Sequence, residues 1–224
     1  MKAVTVKNLW IVGVVAVVMG GMLVMTARKS VRKPLEPWTI VPDHVPLKPL
    51  AIEGIGPFVP YRSQQFTYDF TFRYPKNWVV AELAGKRQRF RQLLIQGPRN
   101  NDDTYTVTLS LVVAPIQPAE PYTSFDTLVQ TIRARYTRRD DAGRVVVDRS
   151  SSVVEHPSRE LVSVFQARIP VSPTETRDVT VRQRNVLLER NGSLYQFSFS
   201  ADVRDYANYE RVFEEFLSSL RWNS

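Results

Sequence analysis

The sequence predicts an α+β fold, in which an antiparallel sheet is covered by helices and one N-terminal transmembrane helix precedes the domain. Several short runs alternate polar and apolar residues, which is typical of strands with one wet and one dry face. Two later segments space their apolar residues as one face of a helix does. A run of 19 uncharged residues, Leu9 to Ala27, is long enough to cross a bilayer.

Residues 1–33 form the predicted anchor with basic flanks. This segment holds six basic groups and no acid, and the net charge of the whole chain is +8. Most of the excess positive charge is therefore expected to lie beside the lipid headgroups. A cleaved signal peptide is the alternative, but Met25-Thr26-Ala27 is a poor cleavage site. We expect an uncleaved span that contacts the bilayer through Leu9 to Ala27. Read literally, the positive-inside bias places the C-terminal body in the cytoplasm.

Residues 34–63 form a predicted Pro-rich, extended stalk. Seven of the 15 prolines lie within residues 34–60, and proline disfavours helix at and before its own position. The stalk either holds the domain away from the membrane or lies along a partner, and the sequence leaves both open. Its apolar side chains are candidates for docking to a partner: Trp38, Ile40, Ile55 and Phe58.

Residues 64–224 form the predicted globular domain, which opens with a row of rings at every second position from Phe66 to Tyr74. The alternation predicts one strand, which Pro75 ends because it has no N–H to donate. Such rings either line a core or stack on nucleic-acid bases. The polar positions between them offer one arginine and one aspartate, and the rest of the domain is nearly neutral. We therefore predict core lining and no nucleic-acid partner.

A helix is predicted after two further strands, at 93–95 and 105–113. Ser124 is suited to cap it, and apolar residues from Phe125 to Tyr136 follow helical spacing. Arginines crowd its C-terminal end, where they complement the helix dipole. They are also a candidate patch for an anionic partner: Arg133, Arg135, Arg138 and Arg139.

Strands are next predicted over 144–148 and 160–169, joined by a turn at 155–158. Asn191-Gly192 predicts a type I′ hairpin that pairs Leu188 with Tyr195. In the preceding strand the apolar residues Val179 and Val181 are in the opposite phase, which predicts a bulge or twist between Arg182 and Asn185.

The last predicted element is a helix that Asp205 caps. Its apolar stripe runs from Tyr209 to Leu220.

The composition argues against catalysis. The chain has no cysteine, which excludes disulfides, zinc–thiolate sites and thiol nucleophiles, and it has only two histidines. No metalloprotease, hydrolase, P-loop or dinucleotide-binding motif is present. We predict that the protein is not an enzyme and has no cofactor and no metal site.

Three short motifs resemble the PsbP-like family, which shares the fold of Mog1 and PsbP. They are Tyr74-Pro75-Lys76-Asn77-Trp78, the stretch from Asn191 to Ala201, and Ser219 to Trp222, and the resemblance spans about residues 64–223. It implies a non-enzymatic α/β/α sandwich. Members near photosystem II lie on the lumenal side and support the oxygen-evolving centre or its assembly, and others are envelope proteins. Cyanobacterial members are anchored by a lipid-modified cysteine, for which the helix would substitute here.

The resemblance favours a domain on the exported side, in a thylakoid lumen or periplasm, against the charge bias of the span. The leading hypothesis is that the protein is an accessory or assembly subunit of a membrane complex. The complex that the resemblance favours is a photosystem or reaction centre. The alternative is an envelope-anchored binding protein for a small ligand or a cell-wall component. A third hypothesis is a nucleic-acid or anionic-polymer binder that uses the helix-end arginines with Lys86, Arg87, Arg89 and Arg91.

Overall fold

Eleven strands and two helices are found in the computed structural model, which describes residues 54–63, 68–84, 91–116, 123–137, 143–172 and 175–223. All of these residues fall within the unit Pro42–Ser224. In chain order the elements are β1 (Phe58–Pro60), β2 (Phe70–Thr71), β3 (Arg73–Pro75), β4 (Val79–Ala84), β5 (Arg91–Arg99), β6 (Thr106–Pro115), α1 (Phe125–Thr137), β7 (Arg144–Val153), β8 (His156–Pro170), β9 (Thr176–Arg190), β10 (Ser193–Asp202), α2 (Tyr206–Ser219) and β11 (Arg221–Trp222).

One seven-stranded sheet runs in the order β4-β5-β6-β10-β9-β8-β7, and every neighbouring pair is antiparallel. The predicted antiparallel sheet is therefore confirmed. The predicted hairpin is confirmed too: Leu188 lies opposite Tyr195. Asn191 and Gly192 have φ angles of 50° and 70°, as a type I′ turn requires.

The two helices cover opposite faces of this sheet. The Phe213 ring of α2 stacks 5.8 Å from Phe199 of β10, which is paired with Arg184 of β9. From α1, the Tyr136 hydroxyl donates a hydrogen bond of 2.8 Å to Gln183. Gln183 and Arg184 are consecutive on a strand, so their side chains point to opposite faces. The domain is therefore a helix–sheet–helix sandwich.

The row of rings lines the core on the α2 face, as predicted. Tyr68, Phe70 and Phe72 are only 7%, 3% and 1% exposed. Phe72 lies between Tyr61 and Phe216, with ring centroids 4.7 and 4.8 Å away. Tyr74 is partly buried against the same core, and Phe66 lies outside the described residues.

The row is not the single strand that its alternation predicts. It contributes two short strands with different partners, because β2 pairs with β11 and β3 pairs with β1. Neither joins the seven-stranded sheet. The rings thus form part of a second layer beside α2. β1 lies inside the segment predicted as a stalk, so the folded domain includes residues before 64.

Two further predictions are wrong in register. The turn between β7 and β8 is at Val154 and Glu155, whose φ angles are 46° and 67°, so His156 already belongs to β8. The bulge predicted between Arg182 and Asn185 is absent, since β9 pairs in continuous register with both β8 and β10. The alternation of apolar residues is interrupted there because two polar side chains, Gln183 and Asn185, are buried in the middle of the strand.

The two predicted helix caps differ. The Thr127 N–H donates to the Ser124 hydroxyl at 3.2 Å, which confirms the cap of α1. Asp205 occupies the cap position of α2, but its side chain makes no capping hydrogen bond; its backbone carbonyl accepts from the Asn208 N–H at 3.0 Å.

The predicted membrane span, Leu9 to Ala27, lies outside the described residues. Neither helix of the described chain has the length and hydropathy that crossing a bilayer requires.

Asp202 ties the end of β10 to the turn between β5 and β6. The Asn100 amide donates to its carboxylate at 2.9 Å, and the backbone N–H of Arg204 donates at 3.0 Å. Hydrogen bonds from the Arg204 guanidinium lower the pKa of Asp202 to about 2, although burial opposes the shift. The ionised carboxylate is thus bound more strongly in the folded chain than in the unfolded chain.

We predict that this contribution to stability is present at neutral pH and lost as the pH falls from about 4 to about 2, because the unfolded pKa of an aspartate is about 3.9. Asp202→Asn should lower the free energy of unfolding by about 1–3 kcal/mol at pH 7. The difference between variant and parent should shrink toward pH 2.5 in urea titrations. An equal difference at both pH values would contradict the assignment.

Candidate interaction surface

The structure describes only two of the four stalk residues that are predicted to dock to a partner. Ile55 and Phe58 are half-buried and pack against the domain's own core. The indole N–H of Trp78 donates to the Gly54 carbonyl at 3.2 Å, which fixes the chain at this point. Their apolar surface is therefore largely covered by this chain. Trp38 and Ile40 lie outside the described residues.

The arginine patch predicted at the end of α1 is only partly described. Arg133 is bound to Asp148 of β7, with its Nε 2.9 Å from the carboxylate. Arg135 lies in the last turn of α1 and interacts electrostatically with Tyr136. Arg138 and Arg139 lie outside the described residues.

Folding adds arginines to Arg133 that the sequence analysis did not group with it. They come from the outermost strand β7 and its neighbour β8. We name the resulting surface the arginine edge: Arg133, Arg144, Arg149 and Arg159. Arg149 is the most open of the three whose side chains are paired, with 65% of its side chain exposed, and Arg144 is also exposed.

Asp148 neutralises part of this charge. Arg133 and Arg159 both form ion pairs with it, on the face that α1 covers. Partial burial alone would raise the pKa of Asp148, but hydrogen bonds from Arg159 and Arg133 outweigh it and hold the pKa below its ordinary value. Asp148 therefore stays ionised and holds α1 against the edge strand.

The other face of β7 is tied to α2 through Glu160. This carboxylate is 3% exposed and receives Arg149 at 2.8 Å and Arg184 at 2.7 Å. Arg184 also pairs with Glu214 of α2, and its guanidinium lies 5.3 Å from the Phe213 ring. Burial alone would lower the pKa of Arg184, but its hydrogen bond to Glu214 and its charged neighbours raise it. The arginine edge thus has cations on both faces of β7.

A second candidate site is a row of buried neutral polar side chains on the α1 face. Eight residues from four adjacent strands take part, and each is at most 6% exposed. We call this set the polar belt: Thr108, Ser110, Ser163, Gln183, Asn185, Gln196, Ser198 and Ser200. Sequence alternation alone would assign such residues to a wet face, so the belt was missed.

Asn185 is the centre of the polar belt. Its side-chain carbonyl accepts hydrogen bonds from the Gln183 amide at 3.2 Å, the Gln196 amide at 3.0 Å and the Ser198 hydroxyl at 2.8 Å. Its own amide nitrogen is buried and makes no hydrogen bond of ordinary geometry among the described residues, but it interacts with the Tyr136 hydroxyl and offsets part of the rise in pKa that burial causes there. The belt thus presents neutral donors and acceptors in a buried setting.

The remaining titratable groups contribute to packing and ion pairs. His156 lies edge-on to Trp222, 5.4 Å between ring centroids, and the Arg190 guanidinium lies 4.5 Å from the same ring. The Tyr195 hydroxyl donates to Asp69 at 2.9 Å, and burial followed by this hydrogen bond raises its pKa. Within the described ranges, no three histidine, aspartate or glutamate side chains converge as metal ligands.

We predict that Asn185→Ala lowers the free energy of unfolding by about 2–4 kcal/mol, because three buried donors then lose their shared acceptor. Gln166→Ala is the matched control, since Gln166 makes one side-chain hydrogen bond, to Thr180, at an exposed position. Its effect should stay within about 0.5 kcal/mol. Chemical denaturation of both variants measures the difference, and equal effects would show that the belt is not a buried network.

Three solved structures are similar to this chain in fold, all at low identity. Cyanobacterial PsbP (CyanoP) from Synechocystis sp. PCC 6803 is 14% identical, covers 79% of this chain and 99% of its own, and has a TM-score of 0.44. PA94, a Pseudomonas aeruginosa protein of unknown function, is 14% identical, covers 71% and 92%, and has a TM-score of 0.40. LpqN of Mycobacterium tuberculosis, involved in cell envelope biogenesis, is 10% identical, covers 75% and 86%, and has a TM-score of 0.47.

The curated protein sequences include none that matches this chain. The family model described as PsbP matches residues 58–222, from β1 to β11. This match includes both helices and the whole seven-stranded sheet, and it accounts for well over half of the chain. The chain belongs to the PsbP family.

Proposed function

We propose that this chain is a non-catalytic accessory or assembly subunit of a membrane complex, first of all a photosynthetic one such as a photosystem or reaction centre. The family match over residues 58–222 carries the proposal, because PsbP proteins are associated with photosystem II. The arginine edge supplies a charged surface on a strand that, among the described strands, has a neighbour on one side only.

The proposal includes an anchor and a side of the membrane. Leu9 to Ala27 would span the bilayer, and residues 34–53 would connect the span to the domain. The domain would lie on the exported side, in a thylakoid lumen or periplasm. A tethered domain meets its partner at a high effective concentration, so a modest interface would suffice for stable association.

Association with a complex is tested by purifying the full-length, C-terminally tagged chain from its host in mild detergent. We expect it to migrate on a native gel with a larger membrane complex and to dissociate as salt concentration rises, since exposed ion pairs are screened. Recovery only as a free monomer under low salt would contradict the proposal. A chain lacking residues 1–33 is the control for the contribution of the anchor.

The side of the membrane is tested by cysteine labelling, which is simple here because the chain has no cysteine of its own. Val203 is 42% exposed, so Val203→Cys provides a single reactive site on the domain. We expect this cysteine to react with a membrane-impermeant maleimide added from the exported side. Lys2→Cys should react only after the membrane is permeabilised. The reverse pattern would place the domain in the cytoplasm.

The polar belt favours a second candidate function, an envelope-anchored binding protein for a small ligand or cell-wall component. Its uncharged donors and acceptors, which come from four adjacent strands, suit a neutral polar ligand. Native mass spectrometry of the chain purified from its host tests this candidate. A stoichiometric adduct that Asn185→Ala loses would favour it, and a bare chain in both cases would remove it.

A further inference from the structure

The outermost strand β7 has the features of a strand-addition site. It is ten residues long and, among the described strands, is paired with β8 alone. Such an edge presents backbone N–H and C=O groups to which another extended chain can bond. The register shifts between Val145 and Val147, and Val146 at this irregularity is 43% exposed. The edge therefore offers one apolar contact besides its backbone.

The charges beside β7 indicate the sign of its partner. Arg159 and Arg133 lie on the α1 face, where they share Asp148. Arg149 lies on the α2 face with Glu160, and Arg144 is opposite Val164, which shares that face. An added strand projects its side chains alternately to both faces. Carboxylates on either face of such a strand would thus meet an arginine.

The same charges argue against the other simple occupant, a second copy of this chain. Two β7 strands paired with each other would bring the arginine edges together, and like charges on adjacent strands are destabilising. The opposite edge strand, β4, is shorter, with six residues, and carries Glu82. β7 therefore offers a negatively charged strand the longer edge, with arginines on both of its faces.

We propose that β7 binds an extended, acidic segment of a partner protein by strand addition, with the arginine edge selecting for its carboxylates. This inference rests on the proposed function, because it names the chemistry of the partner in the membrane complex. The bound segment would become the eighth strand of the seven-stranded sheet.

The first test uses the full-length chain in mild detergent and a peptide of alternating valine and glutamate as the probe. We expect the peptide to slow amide hydrogen exchange over residues 144–153 and to leave β4 unchanged. A peptide of alternating valine and lysine is the matched control and should give no protection. Equal protection by both peptides, or none by the acidic one, would overturn the proposal.

Charge-reversal variants distinguish specific binding at the arginine edge from non-specific electrostatic attraction to the domain. Arg144→Glu should weaken binding of the acidic peptide about tenfold, because an attraction becomes a repulsion. Arg168→Glu is the control: Arg168 is 75% exposed and lies four residues along β8 from Val164, the partner of Arg144. That separation is about 13 Å, which exceeds the Debye length, so binding should change less than about twofold. If Arg144→Glu does not fold, Arg144→Gln gives a smaller loss in the same direction. Equal losses at both positions would overturn the inference.

A membrane surface is the competing anionic partner, and vesicles of phosphatidylglycerol and phosphatidylcholine test it. If Arg144→Glu abolishes vesicle binding while the acidic peptide gives no protection over 144–153, the arginine edge binds lipid and strand addition is refuted. If the chain purifies with a complex but the peptide does not bind, the proposed function stands and only this inference fails.

Photo-crosslinking in the native complex tests the same idea without a model peptide. A benzophenone side chain at Val146 should capture a partner segment with more carboxylates than basic groups. The same group at Val171, which is 38% exposed at another place on the surface, is the control. Capture of a basic segment, or the same product from both positions, would contradict the proposal.

Discussion

The packing of Phe72 between Tyr61 and Phe216 is the contact on which the α2 face depends. It joins the chain before β2, the row of rings and the last helix in one aromatic cluster, in which Tyr61 stacks on Phe72 at 4.7 Å and Phe216 meets Phe72 edge to face at 4.8 Å. Because these rings are buried, they are not available to stack on a ligand. The core on this face is aromatic and continuous, and it fixes α2 against the sheet.

The opposite face is organised by a different constraint. Its middle is polar, so the Asn185 carbonyl must serve three donors to avoid the cost of leaving them unpaired. α1 lies over the β7 side of this face and is linked to the edge by Arg133 and Asp148. Both helices combine apolar packing with ion pairs, since α1 buries Leu128 and Ile132 beside the Arg133–Asp148 link and α2 adds the Arg184–Glu214 pair to its rings. What differs is the middle of each sheet face, which is polar on the α1 side and aromatic on the α2 side.

Local patterns predicted the parts of the fold that local chemistry decides. The Asn191-Gly192 hairpin and the Ser124 cap follow from the turn and capping preferences of those residues. The β7–β8 turn was predicted too far along the chain, because Val154 adopts a positive φ that its branched side chain disfavours and the pairing of two long strands overrides this preference. The change of apolar phase did not require a bulge, because Gln183 and Asn185 continue the face of Val179 and are buried polar residues. The arginine edge was only partly anticipated, since Arg133 and Arg159 meet at Asp148 through tertiary structure alone.

The free energy of unfolding of Phe72→Ala tests most directly whether the aromatic row is interior. Phe72 is 1% exposed, and removal of a buried phenylalanine side chain costs about 3–5 kcal/mol. The account predicts a loss in this range in urea denaturation, with no gain or loss of affinity for single-stranded nucleic acid. A variant as stable as its parent that binds single-stranded nucleic acid more weakly would contradict it.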